Sequence, residues 1–402
     1  MPATVPLLFR LRALLLLAAL LCCLPLHADD GDGASVNPQP LIWLKSAQYP
    51  ALEHYYGDLQ RGYEGGSVTE QALFQGYRDL YEDADGNAQY FDQWVQAFPK
   101  SYAARSARGS YYYRMAWVAR GHDYAQNTPQ KQFDAMRHYE ALAQTDLLAS
   151  LPMTGKPYIS TLYLLNVAMF DGKEEERRHW LDLGNQIDPG NFLLRRRYMV
   201  SLMPRWYGSY PRMRGFLEEC RRQHLPEALV ARLDAIIHTD MAKGWSDAGN
   251  DAAAYEQWQI VLELSKVSGE PPPADSVYAY TRAAWILKHR EEADRGLAQL
   301  EGMHVQEGWM LTQMSSIYVE EQRMPEAWSA LHKAAALNEP WAQYLIGKTI
   351  YLGCVDINQA ADPDAAMAWF QRAADQGLAP AKGVLRLAGW GHIFSWLYLN
   401  LH

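Results

Sequence analysis

Leu311-Thr-Gln-Met314-Ser315-Ser-Ile-Tyr318, followed by Ala327-Trp-Ser-Ala-Leu331-His-Lys-Ala334, is the stretch whose spacing decides the fold. Large residues at 311, 314 and 318 recur every three or four positions with small Ser315 between them, which places one apolar stripe on a helix. Ala327 and Ala334 on the second segment let two such helices approach closely while Leu331 fills the space between them. The logic repeats upstream in Thr161, Leu164, Ala168, Leu181 and Gly184. There the turn Asp188-Pro189-Gly190 stops one helix and precedes the next. Outward from these units the chain reads from Tyr49 as one helix after another, punctuated by Gly, Pro and Asp, with no alternating strand pattern.

The spacing of the 311–334 unit matches the tetratricopeptide repeat. A further unit, Ala342-Gln343-Tyr344, Gly347, Gly353, Ala368-Trp369-Phe370, Ala373-Ala374 and Gly377, resembles the Sel1-like variant of it. One register recurs 39 positions apart, pairing Lys333-Ala334-Ala335 with Arg372-Ala373-Ala374 and Ala342 with Ala381. Further helical pairs are expected to begin near Ser101, Phe192, Pro226, Asp275 and Gly308, with Pro271-Pro272-Pro273 as a rigid joint. The resemblance implies an all-α, right-handed α-solenoid of helical hairpins. A second resemblance lies in Ala107–Trp117, Pro157–Tyr163 and Pro204-Arg-Trp-Tyr-Gly-Ser-Tyr210. Together these look like a bacterial exported domain family of unassigned function, over roughly Tyr90 to Phe216. It supports a helical-repeat fold and transfers no activity.

The expected organisation is a signal peptide over 1–28, a flexible acidic N-terminus over 29–46, a helical domain over 47–225, repeats over 226–388 and an apolar C-terminal segment over 389–402. A cationic start with Arg10 and Arg12, an apolar run from Ala13 to Leu26 and a small residue at Ala28 carry the export reading. That run is shorter than the roughly 20 residues a spanning helix needs. Leu21 stands where lipid modification of Cys22 or Cys23 would want a small residue, so a periplasmic or secreted protein is favoured over a lipid-anchored one.

Cleavage after Ala28 would remove two of the 37 basic residues and none of the 46 acidic ones. An acidic chain of this kind disfavours nucleic acid and favours a basic partner. Cys220 and Cys354 lie several repeats apart and are expected to be free thiols, leaving stability to packing.

No His-Glu-x-x-His, Cys-x-x-Cys or phosphate-binding Gly-rich loop occurs, so no catalytic, cofactor or metal residue is assigned. His122-Asp123, His138 and His179 are singletons, read as structural or surface residues. Gly65-Gly66-Ser67-Val68-Thr69-Glu70 reads as a loop feeding a helix capped by Ser67 or Thr69. Two features are candidate partner contacts. Arg195, Arg196, Arg205, Trp206, Tyr207 and Tyr210 concentrate guanidinium forks beside aromatic rings, which suits a carboxylate, a phosphate or a peptide. The bland alternative pairs these arginines with Glu174-Glu175-Glu176, and the many other aromatics are read mainly as core. Trp390, Phe394 and Trp396 make the last segment apolar, suiting either a docking contact or a cap on the last repeat.

These features predict an adaptor that holds a protein or peptide in a concave groove built from the first helices of successive repeats, an inhibitor of a toxin or envelope enzyme being one form of it. The alternative class is a cell-wall glycan-binding protein or peptidoglycan-acting enzyme on the same scaffold, which would need a groove carboxylate of raised pKa.

Overall fold

In a computed structural model the described residues are 36–81, 86–121, 127–169, 173–388 and 399. They form nineteen α-helices and no strand, so the chain is an all-α solenoid of consecutively packed helices. The proposed signal peptide, Cys22, Cys23, His122, Asp123, Trp390, Phe394 and Trp396 lie outside the described residues. The chain divides into two compact units, Pro25–Ile237 and the portion from His238 onward. The break falls inside a helix and not at the expected boundary after 225.

In the first unit the helices are α1 (Gln39–Lys45), α2 (Tyr49–Glu64), α3 (Glu70–Arg78), α4 (Ala88–Ala97), α5 (Tyr102–Arg120), α6 (Gln130–Ser150), α7 (Tyr158–Ala168), α8 (Glu174–Ile187), α9 (Leu193–Ser201) and α10 (Tyr210–Arg222). α1 corrects the expectation of a flexible segment up to residue 46. Pro40 starts a short helix and Leu44 is fully buried, apolar surface that the Gly-rich composition upstream had masked. The pair α5 and α6 packs along much of its length. Gly109 makes this possible, because a Cβ there would press to 2.7 Å from the Leu147 side chain. Tyr111 and Tyr112 are buried and Phe91 stacks on Tyr111 at 4.6 Å between centroids, so these rings fill interhelical space.

Polar side chains finish the helix ends. Thr69, not Ser67, accepts the Ala72 N–H at 3.2 Å, and Ser101 accepts that of Ala104 at 3.0 Å. Glu70 does more than favour its own helix start. Its Oε1 accepts the N–H groups of Phe192 at 2.7 Å and Leu193 at 3.3 Å, and its carboxylate also takes the Tyr158 hydroxyl. It therefore caps α9 across the fold, donors that the local sequence leaves orphaned.

Burial raises the pKa of Glu70 above the ordinary carboxylate value even though these donors oppose the shift. A raised folded pKa means that the stability tied to its proton is complete below the unfolded pKa and is lost as pH rises through the folded one. Glu70→Ala is expected to lower unfolding free energy by about 1–3 kcal/mol, the cost of stranding buried donors. Glu70→Gln keeps one acceptor and should cost less, while removing this part of the pH dependence. Urea titrations of the three proteins between pH 4 and pH 7 measure both effects.

α11 (Glu227–Asp247) crosses the break. The second unit continues with α12 (Asp251–Ser268), α13 (Ala274–Ile286), α14 (Arg290–Gly302), α15 (Gly308–Glu320), α16 (Met324–Ala336), α17 (Pro340–Leu352), α18 (Pro363–Asp375) and α19 (Ala379–Ala388). Three hairpins follow one another: α13 with α14, α15 with α16, and α17 with α18. Leu311, Met314, Tyr318, Ala327, Leu331 and Ala334 all belong to one buried cluster, the assignment their spacing predicts. Leu399 is fully buried in the next cluster, with Phe370, Ala381 and Val384. At that one residue the C-terminal segment serves as a cap on the last hairpin.

Candidate binding groove

α14 approaches the following first helix, α15, less closely than α16 approaches α17 or α18 approaches α19. The space left is a groove of about 390 Å³. Leu311, Met314 and Tyr318 of α15 form its floor. One wall is Leu300 and Glu301 of α14 with His304, Val305 and Gln306 of the next loop. The other is Glu326, Ser329, Ala330, Lys333 and Ala336 of α16, ending at Leu337. The sequence reading placed first helices on the binding face; here they supply only the floor, and second helices supply the walls.

Local chemistry fixes the floor and rim. The Tyr318 hydroxyl donates to Glu301 Oε1 at 2.5 Å, and Arg323 lies 4.7 Å over the Tyr318 ring. Burial is the main cause that raises the Tyr318 pKa, with the Glu301 contact second. Arg323 also pairs with Glu326 at 3.0 Å and Asp294 at 3.2 Å, tying α16 to α14 at one end. The Glu326 carboxylate is held below its usual range by its own backbone N–H and then by Arg323. Lys333 and Ser329 are exposed on the wall. An apolar floor with a few polar groups on the rim is the usual make-up of a ligand-binding cleft.

The arginine and aromatic candidates sit in the first unit and are not one surface. Arg195 is 2% exposed, its Nη1 donating to the Asn191 carbonyl at 2.7 Å and its Nη2 to Gln223 Oε1 at 3.4 Å. Burial lowers its pKa, and a guanidinium enclosed in this way cannot reach a partner. The reason is helix periodicity: position 195 falls on the inward stripe with Leu194, Tyr198 and Met199. Arg196 is half-buried. Glu174 pairs with Arg212, and Glu219 with Arg178 at 2.6 Å, so acids do partner arginines here.

Arg205, Trp206 and Tyr207 lie on the turn between α9 and α10, with Tyr207 89% exposed in the left-handed region at φ 64°. Tyr210 starts α10 and is half-buried. Cys220 is buried beside Arg195, and burial pushes its thiol up to about 11, while Cys220 and Cys354 are both free. Among the described residues no cluster of three His, Cys, Asp or Glu side chains could hold a metal, and no helix is long and apolar enough to cross a membrane.

The groove residues Leu300, His304, Gln306 and Ala330 were not singled out from sequence. The signal was present in the 39-residue register, where small Ala330 stands opposite Trp369.

Comparison with known proteins gives two similarities. Residues 163–240 match a family described as a domain of unknown function, DUF4034. The matched span holds the turn Pro204–Tyr210 but not the 107–117 segment. The chain is also 38% identical over 110 residues, 27% of its length, to chitin synthase regulatory factor 3 of the fission yeast Schizosaccharomyces pombe. That similarity spans 10% of the yeast protein, a fungal and not a bacterial relative.

Proposed function

We propose that this chain is an exported tetratricopeptide- and Sel1-like binding protein that holds a segment of a protein partner in the α14–α16 groove. The observation that carries the reading is the groove itself: an apolar floor left open where the neighbouring hairpin junctions are closed. Leu337, 40% exposed at the groove's edge, leaves apolar surface in water that an apolar partner surface would cover. The acidic rim residues Glu301 and Glu326 and the net charge of −9 favour a partner with basic flanks. A regulatory name on a partial relative is compatible with a binding role, though only a tenth of that protein is matched.

Photo-crosslinkers placed at the exposed wall positions Ser329 and Lys333 test this in cells of the source organism. The expected result is one protein segment captured from both positions and not from the exposed control position Glu256. Capture that is scattered, or equal at the control, would overturn the reading.

A further inference from the structure

We infer that the α14–α16 groove takes a large aromatic side chain, tryptophan above all, from its partner. The inference rests on the groove being the binding surface, and names the side chain that fills it.

The next hairpin junction supplies the template. Between α16 and α18 the equivalent space is filled from within the chain. Trp328 and His332 on α16 and Trp369 on α18 form a continuous row of edge-to-face rings, with centroids 4.6 Å and 5.9 Å apart, and Arg372 lies 4.7 Å over Trp369. The 39-residue register that pairs Arg372 with Lys333 pairs Trp369 with Ala330. Between α14 and α16 a 34-residue register, Ala293 and Leu297 with Ala327 and Leu331, pairs Trp328 with Asp294 and His332 with Ala298. All three ring positions are therefore non-aromatic at the α14–α16 junction; Asp294 and Ala298 lie outside the groove's lining and Ala330 lines it, so the ring the groove lacks is the counterpart of Trp369.

What remains around it suits an indole. Ala330 lines the place where the register puts a ring. Lys333 stands where Arg372 stands, poised for the cation–π contact that the next junction makes internally. Glu301 and Gln306 offer acceptors for the N–H that a buried indole must satisfy. Leu311 and Met314 form an apolar floor, and sulfur against a ring edge adds a favourable contact.

The test uses the whole chain with ¹³C-methyl methionine and N-acetyl-tryptophanamide as the probe, the Met314 signal being assigned through Met314→Leu. A saturable shift of the Met314 methyl is expected, with N-acetyl-leucinamide binding at least several-fold more weakly. Ala330→Trp should abolish the response and show Met314 already ring-current shifted without probe. Lys333→Met should weaken the probe by about two- to five-fold, the range of an exposed cation–π contact. It also serves if Ala330→Trp fails to fold. A Met314 signal that does not move, or that answers both probes equally, overturns the inference. Failure of the crosslinking test with a positive Met314 response would leave the aromatic site standing and remove only the protein-partner reading. A crosslinked segment without an aromatic residue would do the reverse.

Discussion

Asp146→Ala is expected to be among the most damaging single substitutions in the chain, lowering unfolding free energy by about 3–5 kcal/mol, the usual cost of stranding a buried charge. Asp146 on α6 is 2% exposed and accepts from two arginines of α5. Its Oδ2 takes Arg108 Nε at 2.6 Å; its Oδ1 takes Arg108 Nη2 at 2.8 Å and Arg105 Nη1 at 3.2 Å. Burial is the largest influence and works against the Arg108 charge; the hydrogen bonds and charge of Asp146, with the contact to Asp92, together outweigh it. Removing the carboxylate leaves that guanidinium desolvated with only the half-exposed Asp92, at 2.9 Å, to answer it. Asp92→Ala should cost under about 1 kcal/mol, because the exposed partner of an ion pair is replaced by water. Urea denaturation separates the two. The double variant Asp146→Ala with Arg108→Met should recover part of the loss, since both members of the pair are then gone.

That network also marks where sequence reasoning stops. Helix starts were legible because they depend on neighbours in the chain. Expected starts near Ser101, Phe192, Pro226, Asp275 and Gly308 all fall within about one residue of the observed ends or caps. The inward stripe of the 311–334 unit was legible for the same reason. Pairings across 38 to 123 positions, such as Arg108 with Asp146 or Glu70 with Leu193, leave no local trace, because any exposed-looking polar residue could play either part. Arg195 shows the limit from the other side: a run of three arginines reads as a surface patch by composition, and helix periodicity turns the first of them into the core. The groove was hidden because it is an absence. Only comparison of one junction with the next shows that Ala330 occupies the place of a ring.

Gly208→Ala is the second substitution with a large expected effect, and it bears on how the Arg205–Tyr207 turn is displayed. The chain leaves α9 at Leu202, makes one short turn over Pro204–Trp206, passes through left-handed Tyr207 and enters α10 with Ser209 as its cap. Gly208 donates its N–H to the Met203 carbonyl at 3.1 Å, closing the turn. A Cβ at 208 would overlap the backbone carbonyl of Leu202, which, unlike a side chain, cannot rotate away. The turn must open, with a loss at or above the roughly 3 kcal/mol seen for severe overpacking. Gly215 on α10 supplies the internal control. It is exposed, a Cβ there meets nothing within 4 Å, and alanine should stabilise the helix by about 0.5–1 kcal/mol. Thermal unfolding of the two variants should therefore shift in opposite directions for the same chemical change. If Gly208→Ala instead unfolds like the native chain, the turn does not hold Tyr207 out as described, and that tyrosine has no fixed presentation to offer a partner.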